Sequence, residues 1–354
     1  MAYFVYSGDL YSARLMFFKS IFQGNLQFGN EKSYHKVIKM FDHRVENYYK
    51  SDVLFKVEDI FKQDSLVVQI PRTVTNITEK NWKNTVDLFQ YVAQFAIAGN
   101  IGAWMTEEGK ILKYAWIEPK GDKAVVQKFL KGRSLISEKG KEKEAEAALS
   151  KAIELYDSHA QAYERRGYVN FLLKKHHDAE RDFTKSIKLD PSNSPAYYGR
   201  AKLKILKEDW EGAIQDLELA IKTSLALQDI HWSARRQKGE CHQKLQQYEE
   251  AEFEFRFFNR RTFKEKSYNY AFIRQTLFNY GKVLLELGKF KEALEVFEKV
   301  MKAKVTPDGI TEADILVQRG IARKNAGKNG FISDWNAAKK LGSAQADRLL
   351  QTTG

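Results

Sequence analysis

Only one cysteine, Cys241, and five prolines occur in 354 residues. A single thiol excludes an internal disulfide framework and suits a reducing compartment; a small buried side chain is the simplest role for it. Scarce proline, with many Lys, Glu, Ala and Leu, favours helices. Long hydrophobic runs are missing too. The most apolar stretch, "YVAQFAIAGNIGAWM", spans 15 residues and is broken by Gln, Asn and two Gly, too short and too polar to cross a bilayer. The first ten residues, "MAYFVYSGDL", hold neither a basic n-region nor an apolar h-region, so no signal peptide is expected. Together these absences predict a soluble cytoplasmic chain.

An acidic surplus is also absent. The formal charge is +12 and the isoelectric point about 9.3, which favours acidic partners. Residues 1–120 hold fifteen basic and thirteen acidic side chains, a net of +2, so most of the excess lies further along.

Catalytic signatures are thin. "YSGDLYSAR" and "GNIGAW" lack the Lys-Ser/Thr pair and the strand-to-helix setting of a phosphate loop. His35 and His43 stand eight apart on a predicted helix, about 12 Å by helical rise and too far to share a metal. His176 and His177 fall in an expected turn. Cys241 and His242 are neighbours, and adjacent helical side chains point about 100° apart, which does not make a thiolate pair. No catalytic, cofactor-binding or metal-ligating residue is predicted, and the chain is read as no enzyme.

What is present is a repeat. In "AYERRGYVNFLLKKHHDAERDFTKSIKLDP", residues 162–191, Gly167, Ala179, Phe183 and Pro191 follow at intervals of 12, 4 and 8. Steps of 34 residues carry Ala179 to Ala145 and Ala213, and Ser186 to Ala152 and Ala220. Similar segments surround Ala251 and Ala293. Small residues precede at Gly167, Ala201, Gly239 and Gly281; in the first case the glycine, Gly132, sits one place early. Paired antiparallel helices approach closely only where side chains are small. Tyr163, Phe183, Tyr197 and Phe297 then fill the gaps to the next pair, and Asp190-Pro191 ends a helix. One pair buries too little alone, so several must stack.

This pattern resembles the tetratricopeptide repeat. The register is 126–159, 160–193, 194–227, 232–265, 274–307 and 313–342, with insertions that lengthen helices or turns. The last unit is one residue short, lacks the usual small residue in its second helix, and gives the roles of Phe183 and Ser186 to Trp335 and Ala338. Residues 343–354 read as a capping helix and tail. The expected fold is mainly α: an α-solenoid of about six helix pairs preceded by a small α+β domain.

That first domain, residues 1–120, has no 34-residue period, and its residues suggest no family. "SYHKVIKMFDHRVENYYK" (33–50) has helical spacing at Val37, Met40, Phe41 and Val45. Thr78 caps a helix with apolar positions at Trp82, Val86, Leu88, Phe89, Val92 and Phe95. "SLVVQIPRTV" is β-like, and "IGAWMTEEGKILKYAWIEP" reads as a hairpin turning at Glu107–Lys110.

The resemblance implies that the first helix of each pair lines a concave groove. Its positions here include Gln161, Glu164, Tyr168, Phe171, Tyr198, Lys202, Ile205, Arg236, Glu240, Gln243, Phe278 and Lys282. Tyr168, Phe171, Tyr198, Lys202, Arg236, Phe278 and Lys282 mix aromatics with cations, suiting an acidic or amphipathic peptide. The Lys and Asn pair with which chaperone-binding members hold a terminal carboxylate is missing from every repeat. The function expected is a non-enzymatic protein-interaction scaffold. The alternative is an RNA- or ribonucleoprotein-associated factor, because residues 253–275 interleave Arg256, Arg260, Arg261, Lys264 and Lys266 with aromatics.

Overall fold

The computed structural model describes residues 16–121 and 123–353. The expectations drawn from "MAYFVYSGDL" and "YSGDLYSAR" lie outside the described residues. The chain forms two compact units that meet at Arg165/Arg166.

In the first unit β1 (Phe17–Gln27), α1 (Glu31–Asn47), α2 (Val57–Ile60), β2 (Phe61–Lys62), β3 (Val67–Thr78), α3 (Glu79–Ala93), β4 (Ala98–Glu107) and β5 (Lys110–Ile117) follow in order. The strands form one antiparallel sheet, β2-β3-β1-β4-β5. Helices α1 and α3 bury Val37, Phe41, Leu88 and Phe89 against Phe22, Ile101, Ala103 and Met105 of the sheet. Asn30 and Thr78 start these helices by accepting hydrogen bonds from Ser33 N and Asn81 N, at 2.8 and 3.1 Å. The hairpin turns where the sequence places it. Helix α1 stops three residues before the expected position 50, because Lys50 and Ser51 take left-handed φ of 50° and 60°. The central strand β1 has no counterpart in the sequence reading. It is bulged at Gly24, where a Cβ would stand 2.1 Å from the Asn100 carbonyl oxygen.

Two helices, α4 (Ala124–Leu135) and α5 (Glu142–Leu155), complete this unit before α6 (Ala160–Leu172) begins. Gly132 lets them touch, since a Cβ there would meet Leu149 Cγ at 2.6 Å. Lys123 donates to the carbonyls of Phe95 and Ala96, and Arg133 binds both Glu118 oxygens at 2.6 and 2.9 Å. The change from sheet to helices near residue 120 is therefore not a gap in packing: the first helix pair is bonded to the sheet-bearing module. The division between compact units falls inside α6 instead.

The second unit continues from the rest of α6 with α7 (His176–Leu189), α8 (Ser194–Leu206), α9 (Trp210–Thr223), α10 (Asp229–Lys244) and α11 (Tyr248–Arg260). It ends with α12 (Ile273–Glu286), α13 (Phe290–Lys302), α14 (Glu312–Asn325), α15 (Phe331–Lys340) and α16 (Ala344–Gln351). The pairs α6/α7, α10/α11, α12/α13 and α14/α15 close on a seam of glycine against ring, while α8/α9 packs Ala201 with Ala213 and Leu217. A Cβ added at Gly239 or Gly281 would lie 2.7 Å from Phe255 or Phe297, and one at Gly320 would lie 2.3 Å from Trp335. In the last pair the aromatic Phe331 takes the place filled by alanine elsewhere, and its ring stands 5.2 Å from Trp335.

The seam also carries an ion pair that the sequence reading passed over. Arg166 grips Asp182 through two bonds of 2.8 Å, and Arg200 grips Asp216 at 2.7 and 2.9 Å. Lys238 reaches Glu254 at 3.1 Å, and Arg319 binds Asp334 at 2.5 and 3.0 Å. The partners stand 16 apart in sequence in the first three cases and 15 apart in the last, matching the short final repeat. No helix among the described residues is long and apolar enough to cross a membrane.

Candidate functional site: the groove of the second unit

The first helices α8, α10 and α12, with the start of α9 and α11, enclose a concavity of about 540 Å³. Ile205 and Trp210 line one side, Tyr248 and Glu286 the other, and Gln237, Gln275, Asn279 and Lys282 lie between. Gln243 and Lys244 add to the α10 wall. Helical spacing places them so: Gln275, Asn279, Lys282 and Glu286 succeed one another at three or four residues along one face of α12.

Beside it the structure gathers several groove residues expected from the sequence. The ammonium of Lys202 sits 4.3 Å above the centre of the Phe171 ring. Burial, with the nearby Arg236, lowers its pKa. Burial also pushes the Tyr198 hydroxyl up to about 12, although Arg236 pulls the other way. Tyr168 and Phe171 pack partly on Phe183, and Tyr198 packs on the core of the next pair, so these aromatics hold the fold as well as shaping the surface.

Other expected positions are occupied by structure. Arg236 is only 4% exposed, pairing with Glu240 at 2.7 Å and stacking on Phe272 at 4.1 Å. It is a wall of the groove rather than a free cation, because the residues inserted before α12 cover it. Phe278 leans on Phe297, with ring centres 6.0 Å apart. In the first unit Gln161 accepts from Gly99 N at 3.3 Å, and Glu164 is buried beside Arg165 at 3.1 Å. Burial raises the Glu164 pKa.

The charge pattern divides sharply between seam and groove. The seam cations Arg166, Arg200, Lys238 and Arg319 all hold carboxylates. Among the described residues, Lys202, Lys244 and Lys282 have no carboxylate within ion-pair distance. Lys244, the amides Gln237, Gln275 and Asn279, and Trp210, Tyr248 and Glu286 are among the groove residues that the sequence reading missed. For Gln275 and Asn279 the signal is their place on the same face of α12 as Lys282, while Gln237 and Lys244 stand seven apart on α10.

The basic stretch 253–275 does not form one surface. Phe255, Phe258 and Phe263 are buried, which leaves Phe253, Phe257 and Tyr268 as its exposed rings. Arg256 stands 3.8 Å from Glu252, and Arg261 lies 5.7 Å from the Trp232 ring. Arg274 is buried against Asp308 at 2.6 Å. Arg260, Lys264 and Lys266 are exposed. Helix α11 and the loop after it present these charges in different settings.

The histidines and the thiol fall into ordinary places. His35 and His43 are exposed, while His176 and His177 open α7, since the turn is completed earlier by Lys174 at φ 61°. Cys241 is buried and its thiol is pushed up to about 12 by burial, far from a nucleophilic thiolate. Among the described residues no three His, Cys, Asp or Glu side chains come together as metal ligands.

Two family models described as tetratricopeptide repeat match residues 138–194 and 275–304. No curated protein matches the chain. Among solved structures, YrrB, described as a tetratricopeptide-repeat protein with an unusual peptide-binding site, is 19% identical. That likeness covers 58% of this chain and 98% of YrrB, with a TM-score of 0.50. PilF of Pseudomonas aeruginosa is 16% identical over 65% of this chain and 98% of its own, with a TM-score of 0.49. A tetratricopeptide repeat protein of Parabacteroides merdae is 15% identical over 90% of this chain and 98% of its own, with a TM-score of 0.39. Tetratricopeptide repeats are thus matched at 138–194 and 275–304, and the likeness to YrrB shows the same fold of paired helices.

Proposed function

We propose that the chain is a non-enzymatic, cytoplasmic interaction scaffold whose second unit holds an acidic or amphipathic peptide segment in its groove. The observation that carries this is the contrast in charge: basic side chains in the seams are neutralised by the fold, whereas Lys202, Lys244 and Lys282 on the concave side are not. A partner carboxylate near Lys202 would relieve a cation that burial already disfavours. Apolar partner side chains have Trp210, Tyr248 and Ile205 to rest on. The test is an array of synthetic peptides graded from acidic to basic, probed with the full chain and with Lys202→Glu/Lys282→Glu. Acidic peptides are expected to be retained by the natural chain and lost by the variant. Equal retention by both, with both folded, would move the site elsewhere.

RNA association through Arg256, Arg260, Arg261, Lys264 and Lys266 has less behind it. Three of the eight rings in the stretch 253–275 are buried in the core, and two of these arginines lean on neighbours.

A further inference from the structure

Strand β5 is the last of the five in its sheet and pairs with β4 along one side only. Along its other side no described residue bonds the main chain of residues 110–117. Every second N–H and C=O of the strand therefore faces outward unpaired. Ile111, Leu112, Tyr114 and Trp116 are between 42% and 52% exposed, so the edge is apolar as well as open. Trp104 extends that surface inward. Its ring lies over Gly102, where a Cβ would stand 2.2 Å away, and 5.5 Å from the Tyr114 ring. Helix α3 packs beside β5, and its Gln90 and Gln94 share with Trp116 and Lys120 a cleft of about 520 Å³.

The charges around this edge select its occupant. Its carboxylates are already held, Glu79 by Lys83 and Lys113, and Glu118 by Arg133. Lys110 at one end of the strand and Lys120 beyond the other have no ion-pair partner among the described residues. An open apolar edge invites pairing, and lysine beside it works against self-association. Two copies of β5 laid antiparallel would bring Lys110 of each copy toward Lys120 of the other. A strand with an acidic residue at either end and apolar side chains between meets attraction instead. Its β-branched or aromatic residues would pair across the strands with Tyr114 and Trp116. Pro119 and the turn at Glu108 and Gly109, with φ of 48° and 77°, limit the addition to the eight residues of β5.

We propose that the β5 edge of the first unit binds a protein partner by strand addition, taking an extended segment with apolar residues between two acidic ends. This does not rest on the groove of the second unit. The test starts from a random library of roughly ten-residue peptides, selected on the immobilised full chain and resynthesised. Enriched peptides are expected to slow amide exchange in residues 110–117 and to carry Asp or Glu near both ends. Methylating single backbone nitrogens should weaken them about tenfold at every second position and less than about threefold between. Lys110→Glu/Lys120→Glu should weaken them about tenfold, and Lys202→Glu/Lys282→Glu less than about twofold. Unchanged affinity in Lys110→Glu/Lys120→Glu would refute the choice of an acidic strand. Enriched peptides that protect only the second unit, or no enrichment over bare support, would overturn strand addition at β5. Protection of residues 110–117 that grows with protein concentration alone, together with a dimer in sedimentation, would make a second copy the occupant and overturn it too.

Discussion

The seam between paired helices and the concave face that those pairs present use the same residue types to opposite ends. In the seam, Arg166 meets Asp182 and Arg200 meets Asp216 with two bonds each, and the carboxylates are almost wholly buried. On the concave face, Lys202 rests on a phenylalanine ring and Lys282 has no carboxylate partner. A buried carboxylate must be neutralised by the chain itself, since removing one partner strands the other. A half-exposed lysine can wait for a partner from outside. In a stack of similar units the pairing of charges thus separates residues that hold the array from residues left available.

The comparison is broken most forcefully in the seam. Arg166→Met leaves Asp182 with Asn170 as its remaining hydrogen-bond donor, and should cost about 3–4 kcal/mol in denaturant unfolding. Lys202→Met, on the concave side, should stay within about 1 kcal/mol of the natural chain. Equal losses would erase the distinction. Overpacking the seam comes next. Ala179 is fully buried against Phe183, so Ala179→Leu should cost about 2–3 kcal/mol, while exposed Ala147→Leu should be within about 0.5 kcal/mol. Matching melting temperatures for the two variants would refute the register.

A buried histidine in the first unit sharpens the contrast through pH. His159 is hydrogen-bonded to Ala162 N through Nδ1, and burial depresses its pKa from 6.5 to about 4. Its neutral form is favoured by folding, so stability should be complete above about pH 6.5 and fall as acid approaches pH 4. The loss attributable to this group is on the order of 2 kcal/mol. His159→Gln should flatten that part of the stability profile, measured by denaturant titration at several pH values; an unchanged slope would assign it to other groups. The smallest effect concerns the concave face: Lys202→Glu/Lys282→Glu should weaken an acidic peptide by about 1–2 kcal/mol in fluorescence titration without changing the cooperativity of unfolding.

The seam was legible from sequence because its requirements are steric and periodic. Gly167, Ala179 and Phe183 recur as a set, and even the missing residue of the last repeat shows in the spacing of Arg319 and Asp334. The ion pairs stood in plain view at a separation of 16, but charge at a helix surface is usually solvated, and the buried acids looked ordinary. Strand β1 was illegible for another reason. It lies centrally in the sheet, and Gly24 shifts its register, so "FFKSIFQGNLQ" lacks a clean alternation along its whole length. The concave positions were named from family likeness, yet Arg236 and Phe278 turned out to be held within the structure. The amides Gln237 and Asn279 recur two places before a seam glycine, but polar residues on a helix face are ordinary, and their convergence in space is what makes them visible.

The inserted residues between later repeats have a mechanical consequence. Asn269 accepts from Ser233 and donates to the Asp229 carbonyl, tying the segment before α12 to the start of α10. Arg274, at the start of α12, in turn clasps Asp308 and the Ile310 carbonyl ahead of α14. These clasps couple neighbouring pairs by links additional to their packing faces. A stack whose units interact only with neighbours unravels from its weakest junction. Under tension, or in slow amide exchange, residues 229–310 should therefore let go as one block, and an unzipping front arriving from either side should pause at its edge.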